Sequence, residues 1–427
     1  MPDNLTSLTL RTVMPAATGS FGQLARLIGE AGAQVGAVDI VRSTKADVTR
    51  DVQVRVRDAA HADAVIAAIG ALDGFSVEGT ASRVLEEHQS GAIGMKNRMP
   101  LTSRDDLSMA YTPGVARVCM AIHHDFEQAW DYTIKANSVM VVSDGSDVVG
   151  LGELGVDASL PACESVCLFL RDLADIDAFP LPVDSRDVAE IVNTVALCSS
   201  VFAGVHLTDI AAPRCFEIAD ALDARLDIPV LHVDRHGSAV AVLAALRNGL
   251  AVAGKEFEAA TVAVTGRGTA GGTATTRLLE AAGVGVLTED PAGADALVAW
   301  DGPVSGATVA GMAANPVVLS MAGASPEALD ATVYGSNLPT SPNQVSATLA
   351  YPGIWRGAAD VRATTVNDAM LLAAADALAQ AARDADNAVH AQGIVPSVLA
   401  TGLTARIAEA VASAAETSGV ARVARAH

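Results

Sequence analysis

A short apolar strand, a glycine turn and a helix follow one another between residues 261 and 279, and this order constrains the fold more than any other feature. Thr261–Thr265 is typical of a buried strand, and Gly266-Arg-Gly268-Thr-Ala-Gly271 has the G-x-G-x-x-G spacing. In that motif the first glycine permits a tight turn, the second lets the backbone approach a pyrophosphate, and the third lets helix and strand pack closely. The pattern predicts an α/β protein with a Rossmann-type domain.

The residues around the glycine turn indicate which nucleotide the domain would bind. Backbone N–H groups at a helix amino terminus favour phosphates, so Gly266, Gly268 and Gly271 are candidate cofactor-binding residues. Glu289 ends the next predicted strand, 18 residues after Gly271, close to the spacing of the acid that binds a ribose 2′-OH. NAD is therefore the predicted cofactor, and Arg267, which could meet a 2′-phosphate, leaves NADP open. A Rossmann-like domain that no longer binds a nucleotide stays an alternative.

The predicted nucleotide domain is shorter than a complete one. Only residues 291–295 separate the strand and its acidic end from the next strand, Ala296–Trp300. A full dinucleotide-binding half would need another helix there. The sequence therefore predicts a trimmed Rossmann-type NAD(P)-binding domain over 251–395. A C-terminal helical segment, 396–427, is expected to pack back on the scaffold.

The first 82 residues have a different pattern, in which short alternating runs and helical runs follow the order βαββαβ of a ferredoxin-like fold. The segment from Gly19 to Val41 resembles the ACT domain family, which implies an amino-acid effector bound at an interface. A dimerisation domain without a ligand is the alternative. The predicted strands are Leu8–Val13, Val35–Val41, Thr49–Val56 and Phe75–Glu78, and the predicted helices are Phe21–Gly29 and His61–Ala71.

Composition excludes some partners and compartments. The net charge of −21 argues against nucleic acid and anionic membranes as partners. The amino terminus lacks a basic segment followed by an apolar run, and no uncharged apolar stretch reaches 18 residues. Five scattered cysteines without a secretory signal are typical of reduced thiols. These features predict a cytoplasmic protein that does not enter membranes.

Several segments between residues 86 and 420 resemble those of bacterial malic enzymes, and they occur in the family's order. The resemblance implies a malic-enzyme-like substrate domain at 83–250 in front of the nucleotide domain, and it implies a homodimer. The segments are Asp106–Ala116, Val141–Gly145 with Gly150–Gly155, Gly204–Ile210, Ile228–Ser238, Ser341–Val345 and Tyr351–Ala358.

The reaction of this family oxidises malate at C2 with NAD(P), decarboxylates the product with a divalent metal and protonates the enol. It needs a base, an acid, a metal and a nicotinamide. Tyr111 matches the family's enol-protonating acid, whereas Val166 stands at the position of the lysine base and cannot accept a proton. Lys135 and His206 are the candidate replacements. The alternative for Lys135 is a supporting residue, and the alternative for His206 is a surface or pocket histidine whose hydrogen bonds are satisfied.

The metal and substrate positions are also incomplete. The resemblance implies Mg²⁺ or Mn²⁺ on Asp209 and Asp234, which match two of the family's three carboxylates. Thr208 replaces the third carboxylate, and Val233 replaces an acidic neighbour of Asp234. On the substrate side, asparagines of the family are replaced by Gly323, Ser346 and Ala347.

Three functions are compatible with this pattern. The chain could oxidise malate or a similar dicarboxylic acid weakly. It could be a non-catalytic paralogue that binds and regulates an active malic enzyme. It could also be a decarboxylase or lyase for a keto acid, since that chemistry needs neither the lysine nor the hydride step.

Overall fold

The computed structural model describes residues 6–81, 85, 87–322, 329–339, 341–385 and 389–424. Contacts divide the chain into two compact units, residues 1–92 and 93–427. The first unit therefore ends ten residues after the predicted boundary at 82. Apart from residues 83–92, the three domains predicted beyond that boundary fall within the second unit. Among the described residues, no helix combines the length and the apolar composition needed to cross a membrane.

The first unit contains a four-stranded antiparallel sheet and the helices that follow its first and third strands. Its elements are β1 (Thr6–Pro15), α1 (Ser20–Glu30), β2 (Gln34–Ser43), β3 (Asp47–Val56), α2 (Ala59–Gly70) and β4 (Ser76–Ala81). The strands lie in the order β2-β3-β1-β4. The predicted βαββαβ order is therefore present, while the ACT resemblance stays a prediction because strand order alone does not define a ligand.

This unit has a core of its own, made where alternate strand residues meet helix residues four apart. On α1 these are Leu24 and Ile28, and on α2 they are Val65 and Ile69. Asp58 begins α2, because its Oδ1 accepts a hydrogen bond from the His61 N–H at 2.7 Å. Strand β2 lies at an edge of the sheet, and nine of its ten residues are exposed.

The second unit begins with helices and a four-stranded parallel sheet. The elements are α3 (Arg104–Ala110), α4 (Gly114–His124), α5 (Ala129–Tyr132), β5 (Ser138–Ser143), α6 (Val156–Ala174), β6 (Asp177–Pro182), α7 (Val188–Cys198), β7 (Gly204–Leu207), α8 (Arg214–Arg225) and β8 (Val230–His232). The strand order is β6-β5-β7-β8. All residues of β5, β7 and β8 are buried, as expected for parallel strands covered on both faces.

A long helix, α9 (Ser238–Val252), leads to a second parallel sheet. The elements of that part are β9 (Thr261–Thr265), α10 (Ala270–Ala281), β10 (Val286–Thr288), β11 (Ala296–Ala299), α11 (Gly306–Ala310), β12 (Val317–Ser320) and β13 (Val333–Ser336). The strand order is β10-β9-β11-β12-β13. Residues 289–295 join β10 to β11 without a helix, which is the short connection on which the prediction of a trimmed Rossmann-type domain rests.

Three helices complete the second unit, α12 (Tyr351–Asp360), α13 (Asp368–Arg383) and α14 (Leu403–Thr417). A Cβ atom added at Gly353 would lie 2.5 Å from Ile407 Cβ, and one at Gly357 would lie 2.5 Å from Ala408 O. These two glycines therefore let α12 and α14 approach closely. Helix α14, which lies in the predicted C-terminal segment 396–427, contacts both α12 and α13.

Candidate functional site

Residues of the family segments that follow strands, among them the predicted metal ligand Asp209, lie at one edge of the first parallel sheet. Asp144 follows β5, Thr208 and Asp209 follow β7, and Val233 follows β8. Because β5, β7 and β8 are neighbouring parallel strands, these residues share the carboxyl edge of the sheet, where open α/β sheets bind ligands. The candidate site is built at this edge.

Asp144 is fully buried, and its role is structural. Its Oδ2 pairs with Arg214 Nη2 at 2.7 Å, and its Oδ1 accepts from the Ser146 N–H at 3.0 Å. Between them Gly145 has φ +68°, and a Cβ atom there would lie 2.3 Å from Gly155 O. Glycine is therefore required where this loop meets the start of α6.

Asp209 is the predicted metal ligand that the structure describes most fully. Its backbone has φ +54°, a conformation that is uncommon for a residue with a side chain. One carboxylate oxygen, Oδ1, accepts from the Val149 N–H at 2.9 Å. Burial raises the pKa of Asp209, the hydrogen bond from Val149 opposes this shift, and the charge of Asp147 adds to it.

The described donors do not make up the predicted Mg²⁺ or Mn²⁺ site. Thr208 is 5% exposed and brings a hydroxyl group instead of a carboxylate. Asp234 lies in a π-helical turn, Val233–Gly237, but its side chain is outside the described part of the structure. Within the described residues, no three His, Cys, Asp or Glu side chains are grouped to hold a metal ion.

Helix α6 borders the same edge and carries the position where the family has its lysine. Val166 is partly buried and packs against the main hydrophobic core of the unit. Its neighbours Cys163 and Cys167 are buried, and burial raises the pKa of both thiols to about 12. The charge of Asp209 adds to the shift of Cys163. These thiols stay protonated near neutral pH, so they do not supply the missing base.

Lys135 lies at the opposite edge of the sheet, because it precedes β5 whereas Asp144 follows it. The six residues of β5 span about 20 Å at about 3.3 Å per residue. Lys135 Nζ donates to Ser200 O at 2.9 Å and to Phe202 O at 3.2 Å. Its side chain also lies over the ring of Trp130, 4.7 Å from the centroid. The structure thus places Lys135 away from the site and supports the alternative of a supporting residue.

His206 is in the middle of β7 and is completely buried. Its Nδ1 accepts a hydrogen bond from Trp355 Nε1 at 2.9 Å, so the proton of the neutral ring is on Nε2. Burial lowers the pKa of His206 to about 3, and the charge of His232 contributes to this shift. The lone pair of Nδ1 already accepts the hydrogen bond from Trp355, and the ring is buried in the core. His206 is therefore not placed to act as the replacement base.

Tyr111, the predicted acid, ends helix α3, and its residue is 69% exposed in the chain. The turn to α4 is tight, since a Cβ atom at Gly114 would lie 2.4 Å from Met109 O. Neither α3 nor α4 has a buried residue. The structure therefore places Tyr111 on an uncovered helical hairpin.

The segment with the replaced asparagines contacts the π-helical turn. Ser346 Oγ accepts from the Thr348 N–H at 3.3 Å and caps a short 3₁₀ turn. A Cβ atom at Gly237 would lie 3.1 Å from Ala347 Cβ. Ser346 and Ala347 are thus brought beside the turn that contains Asp234. Gly323, the third such position, lies outside the described residues.

The glycine loop has the conformation that its spacing predicts. Gly266 has φ +69°. Thr269 begins α10, because its Oγ1 accepts from the Gly272 N–H at 3.1 Å and donates to Gly266 O at 2.8 Å. The Cβ position of Gly268 has no atom within 4 Å, so this part of the loop is open.

Arg267 and Glu289, the two residues predicted to read the ribose, interact with each other. Arg267 Nη2 donates to Thr288 O at 2.7 Å, and its Nε lies 3.7 Å from Glu289 Oε1. The arginine therefore reaches from the glycine loop to the end of β10. An exposed ion pair at this distance contributes little to stability.

Sequence reasoning missed Trp300 and Asp301, which follow β11 directly. A Cβ atom at Gly271 would lie 2.2 Å from Trp300 Cζ3, so the indole lies flat against the first turn of α10. Thr265 Oγ1 donates to Asp301 Oδ1 at 2.7 Å. The sequence feature that could have identified Trp300 is its position directly after a predicted strand of the nucleotide domain. A large side chain has little free space at that position, beside the glycine loop.

Two family descriptions match the second unit. Residues 93–187 match the description "Malic enzyme, N-terminal domain", and residues 318–416 match "Malic enzyme, NAD binding domain". The second match begins beyond the glycine loop and beyond Trp300. The fold and these matches define a two-sheet α/β protein with a malic-enzyme N-terminal domain and a malic-enzyme NAD-binding domain.

Curated and solved relatives agree with these matches. The chain is 36% identical over 461 residues to the NAD-dependent malic enzyme of Geobacillus stearothermophilus, covering 97% of this chain and 96% of that protein. It is also 36% identical to the bifunctional malic/malolactic enzyme of Bacillus subtilis, covering 79% of this chain and 93% of that one. The crystal structure of malic enzyme from Pyrococcus horikoshii has a TM-score of 0.74 at 33% identity and covers 80% and 92% of the two chains. This chain belongs to the malic enzyme family.

Proposed function

We propose that this chain is a non-catalytic member of the malic enzyme family that assembles with an active family member and regulates it. The observation that carries the proposal is the side chain at position 166, a valine that packs into the core where the family has its base. Loss of a general base typically costs about 10²–10⁴-fold in rate. Neither proposed substitute compensates, because Lys135 lies at the other sheet edge and His206 is packed against Trp355.

The missing third carboxylate supports the same proposal. A divalent metal supplies several kcal/mol of charge stabilisation in this kind of reaction. Thr208 brings no charge to that stabilisation, and Asp147 places a further negative charge near Asp209. A dicarboxylate substrate would meet this negative potential without the full set of metal ligands. Malate turnover by the chain alone is therefore expected to be weak or absent.

An uncovered helical hairpin supports assembly. Helices α3 and α4 bury none of their residues, and Leu107, Met109 and Met120 are exposed on them. Beside them is an apolar groove of about 680 Å³, lined in part by Met95, Met99, Leu101, Ala110, Phe179 and Pro180. An exposed apolar surface of this kind is typical of a protein interface. Because α3 and α4 carry family segment Asp106–Ala116, the occupant that we propose is a second malic-enzyme chain, in a homodimer or in a complex with the active paralogue.

The first unit is the proposed effector site. A cavity of about 590 Å³ is lined by the amino terminus of α1 and by Lys45 and Arg50. Gly19 caps α1 without a side-chain hydrogen bond, and Arg50 Nε is buried without a hydrogen-bond partner. Helix amino termini and guanidinium groups both favour carboxylates. An amino acid is therefore the class of effector that we propose.

A mixing experiment tests the regulatory role. The chain is purified alone and with an active malic enzyme of the same cell, and NADH or NADPH formation from malate is measured with Mn²⁺, with and without each amino acid. We expect less than about 1 turnover per second from the chain alone, a complex with the active enzyme and a changed rate in that complex. The double variant Leu107→Glu/Met120→Glu should lose both the complex and the rate change.

Leu197→Glu is the matched control, because Leu197 is exposed on α7 and lies on a different helix. It should keep the complex. Ordinary malate turnover by the chain alone, or the absence of both a complex and a rate change, would contradict the proposal.

A keto-acid decarboxylase is the second candidate. It is favoured by Asp209, whose buried carboxyl group has a raised pKa and could hold a proton or one coordination position of a metal. The same assay set distinguishes the two functions, because Mn²⁺-dependent loss of oxaloacetate without NAD supports the decarboxylase. No reaction with any 2-keto diacid would exclude it.

A further inference from the structure

The crevice for a dinucleotide can be located from strand order alone. In the second sheet β9 lies between β10 and β11. The strand that follows β9 in the chain, β10, is added on one side of it, and β11 to β13 are added on the other side. The order of the strands therefore reverses between β9 and β11. In open α/β sheets, ligands bind at the carboxyl ends of the two strands that flank such a reversal. Strand β9 ends at Thr265 and is followed by Gly266, and strand β11 ends at Ala299 and is followed by Trp300.

The side chain of Trp300 lies within this crevice. Three of its benzo-ring carbons lie 2.2–2.4 Å from the position that a Gly271 Cβ atom would take. Gly271 is buried and belongs to the first turn of α10, the turn whose amide groups a pyrophosphate would approach. The indole therefore covers the part of the helix amino terminus that faces β11.

The crevice is also bridged on both sides of the glycine turn. On the β11 side Thr265 Oγ1 donates to Asp301 Oδ1 at 2.7 Å, and the Cβ position of Gly266 is 2.8 Å from Asp301 Cβ. On the β10 side Arg267 Nη2 donates to Thr288 O at 2.7 Å. Side chains that border the crevice on both sides of the glycine turn are therefore already hydrogen-bonded within the protein.

We propose that Trp300 excludes dinucleotides from this crevice, so that the NAD-binding domain of this chain is closed by its own side chain. The Trp300 ring occupies the space beside Gly271, the third glycine of the motif. The hydrogen bond from Thr265 holds Asp301, the residue after Trp300, across the ends of β9 and β11. The residues present do not fit a bound NAD or NADP unless Trp300 leaves. This inference does not depend on the regulatory role, because a regulatory chain can bind its partner with or without a nucleotide.

Calorimetric titration of the full chain with NADH and with NADPH tests the proposal. The variant Trp300→Gly should bind one of the two nucleotides at least about tenfold more tightly than the unmodified chain. Trp300→Leu, which fills less of the crevice but keeps an apolar side chain, should give an intermediate affinity and guards against a folding defect in the glycine variant. Circular dichroism melting confirms that each variant is folded.

A second substitution shows whether the gained binding uses the glycine loop. Gly268 has open space at its Cβ position and no strained φ, so Trp300→Gly/Gly268→Val should fold and should lose the gained affinity, because valine blocks the approach of a pyrophosphate. Equal affinity of the unmodified chain and Trp300→Gly would overturn the proposal. Weaker binding by Trp300→Gly would also overturn it and would make Trp300 a stacking platform. No binding by any variant would also overturn it, because Trp300 would then not be the group that excludes the nucleotide.

Discussion

His206, Trp355 and Gly204 form one packed unit in the core. The indole N–H of Trp355 donates to His206, and the Trp355 ring occupies the space beside Gly204, where a Cβ atom would lie 2.2 Å from Trp355 Cζ3. The histidine ring also lies 5.1 Å from the ring of Tyr351. His206, which the sequence offers as a replacement base, is therefore held in place by its packing. The folded state is stabilised when this histidine is neutral.

This packing predicts a pH dependence of stability. The pKa of His206 is about 3 in the folded chain and near its usual value of 6.5 when unfolded, so the unfolded state binds more protons between these values. The stabilisation of the folded state by neutral His206 is complete above pH 6.5. It is lost as the pH falls toward 3, at about 1.4 kcal/mol of unfolding free energy per pH unit. His206→Asn, which keeps an acceptor for Trp355, should reduce that slope. Urea unfolding at several pH values between 4 and 7 measures it.

The exposed His124 provides the control, since His124→Asn should leave the slope of the unfolding free energy unchanged. The prediction is wrong if the curves of His206→Asn and the unmodified chain are parallel. Burial also lowers the pKa of His232 to about 4 and that of His236 well below its usual value. The slope that remains in His206→Asn is therefore expected to come from these two histidines.

Single residues also show where sequence reasoning reaches its limit. The glycine spacing and the position of Val166 could be inferred, because motif and family order fix them along the chain. The sheet edge on which Lys135 lies and the space that Trp300 fills could not be inferred. Both depend on three-dimensional packing between segments that are far apart in sequence.

At the scale of elements, helix α10 shows how local chemistry sets a boundary that the pattern predicts. The strand before it is apolar, the turn holds Gly266 in a left-handed conformation, and Thr269 satisfies the first amide groups of the helix. The first unit was predictable for the same reason, since period-2 and period-3.6 patterns alternate there. The short connection at residues 289–295 was predictable from chain length alone.

The cap of α10 can be tested with a matched pair of variants. Thr269→Ala removes the hydroxyl that accepts from the Gly272 N–H, and it should lower the free energy of unfolding by about 1 kcal/mol. Thr269→Ser keeps the hydroxyl and should differ from the unmodified chain by only a few tenths of a kcal/mol. Denaturant unfolding measures both, and equal losses in the two variants would show that the hydroxyl does not cap the helix.

At the scale of the whole molecule, the two compact units differ in what they contain. The second unit contains both parallel sheets and the helices α12, α13 and α14. The solved malic enzyme of Pyrococcus horikoshii matches 80% of this chain, and that match covers 92% of its own length. The first unit has a separate hydrophobic core.

The fragment 93–427 is therefore expected to fold without the first unit. It should show one cooperative thermal transition and the helical content of a protein with α6, α9, α13 and α14 intact. Circular dichroism and size-exclusion chromatography measure both properties. A fragment that aggregates or melts without cooperativity would contradict the expectation and would mean that the first unit stabilises the second.

The chain has three tryptophans, and each of them marks a different place described above. Trp355 is buried beside His206, Trp130 is surrounded by the cations of Lys135, Arg362 and Arg422 at 4.7–5.7 Å, and Trp300 lies in the crevice of the second sheet. Variants that keep one indole at a time would turn the protein's own fluorescence into three separate optical reporters. Trp355 would report the protonation of His206, and Trp130 would report the contact with Arg422 near the end of the described chain. Trp300 would report the opening of the nucleotide crevice.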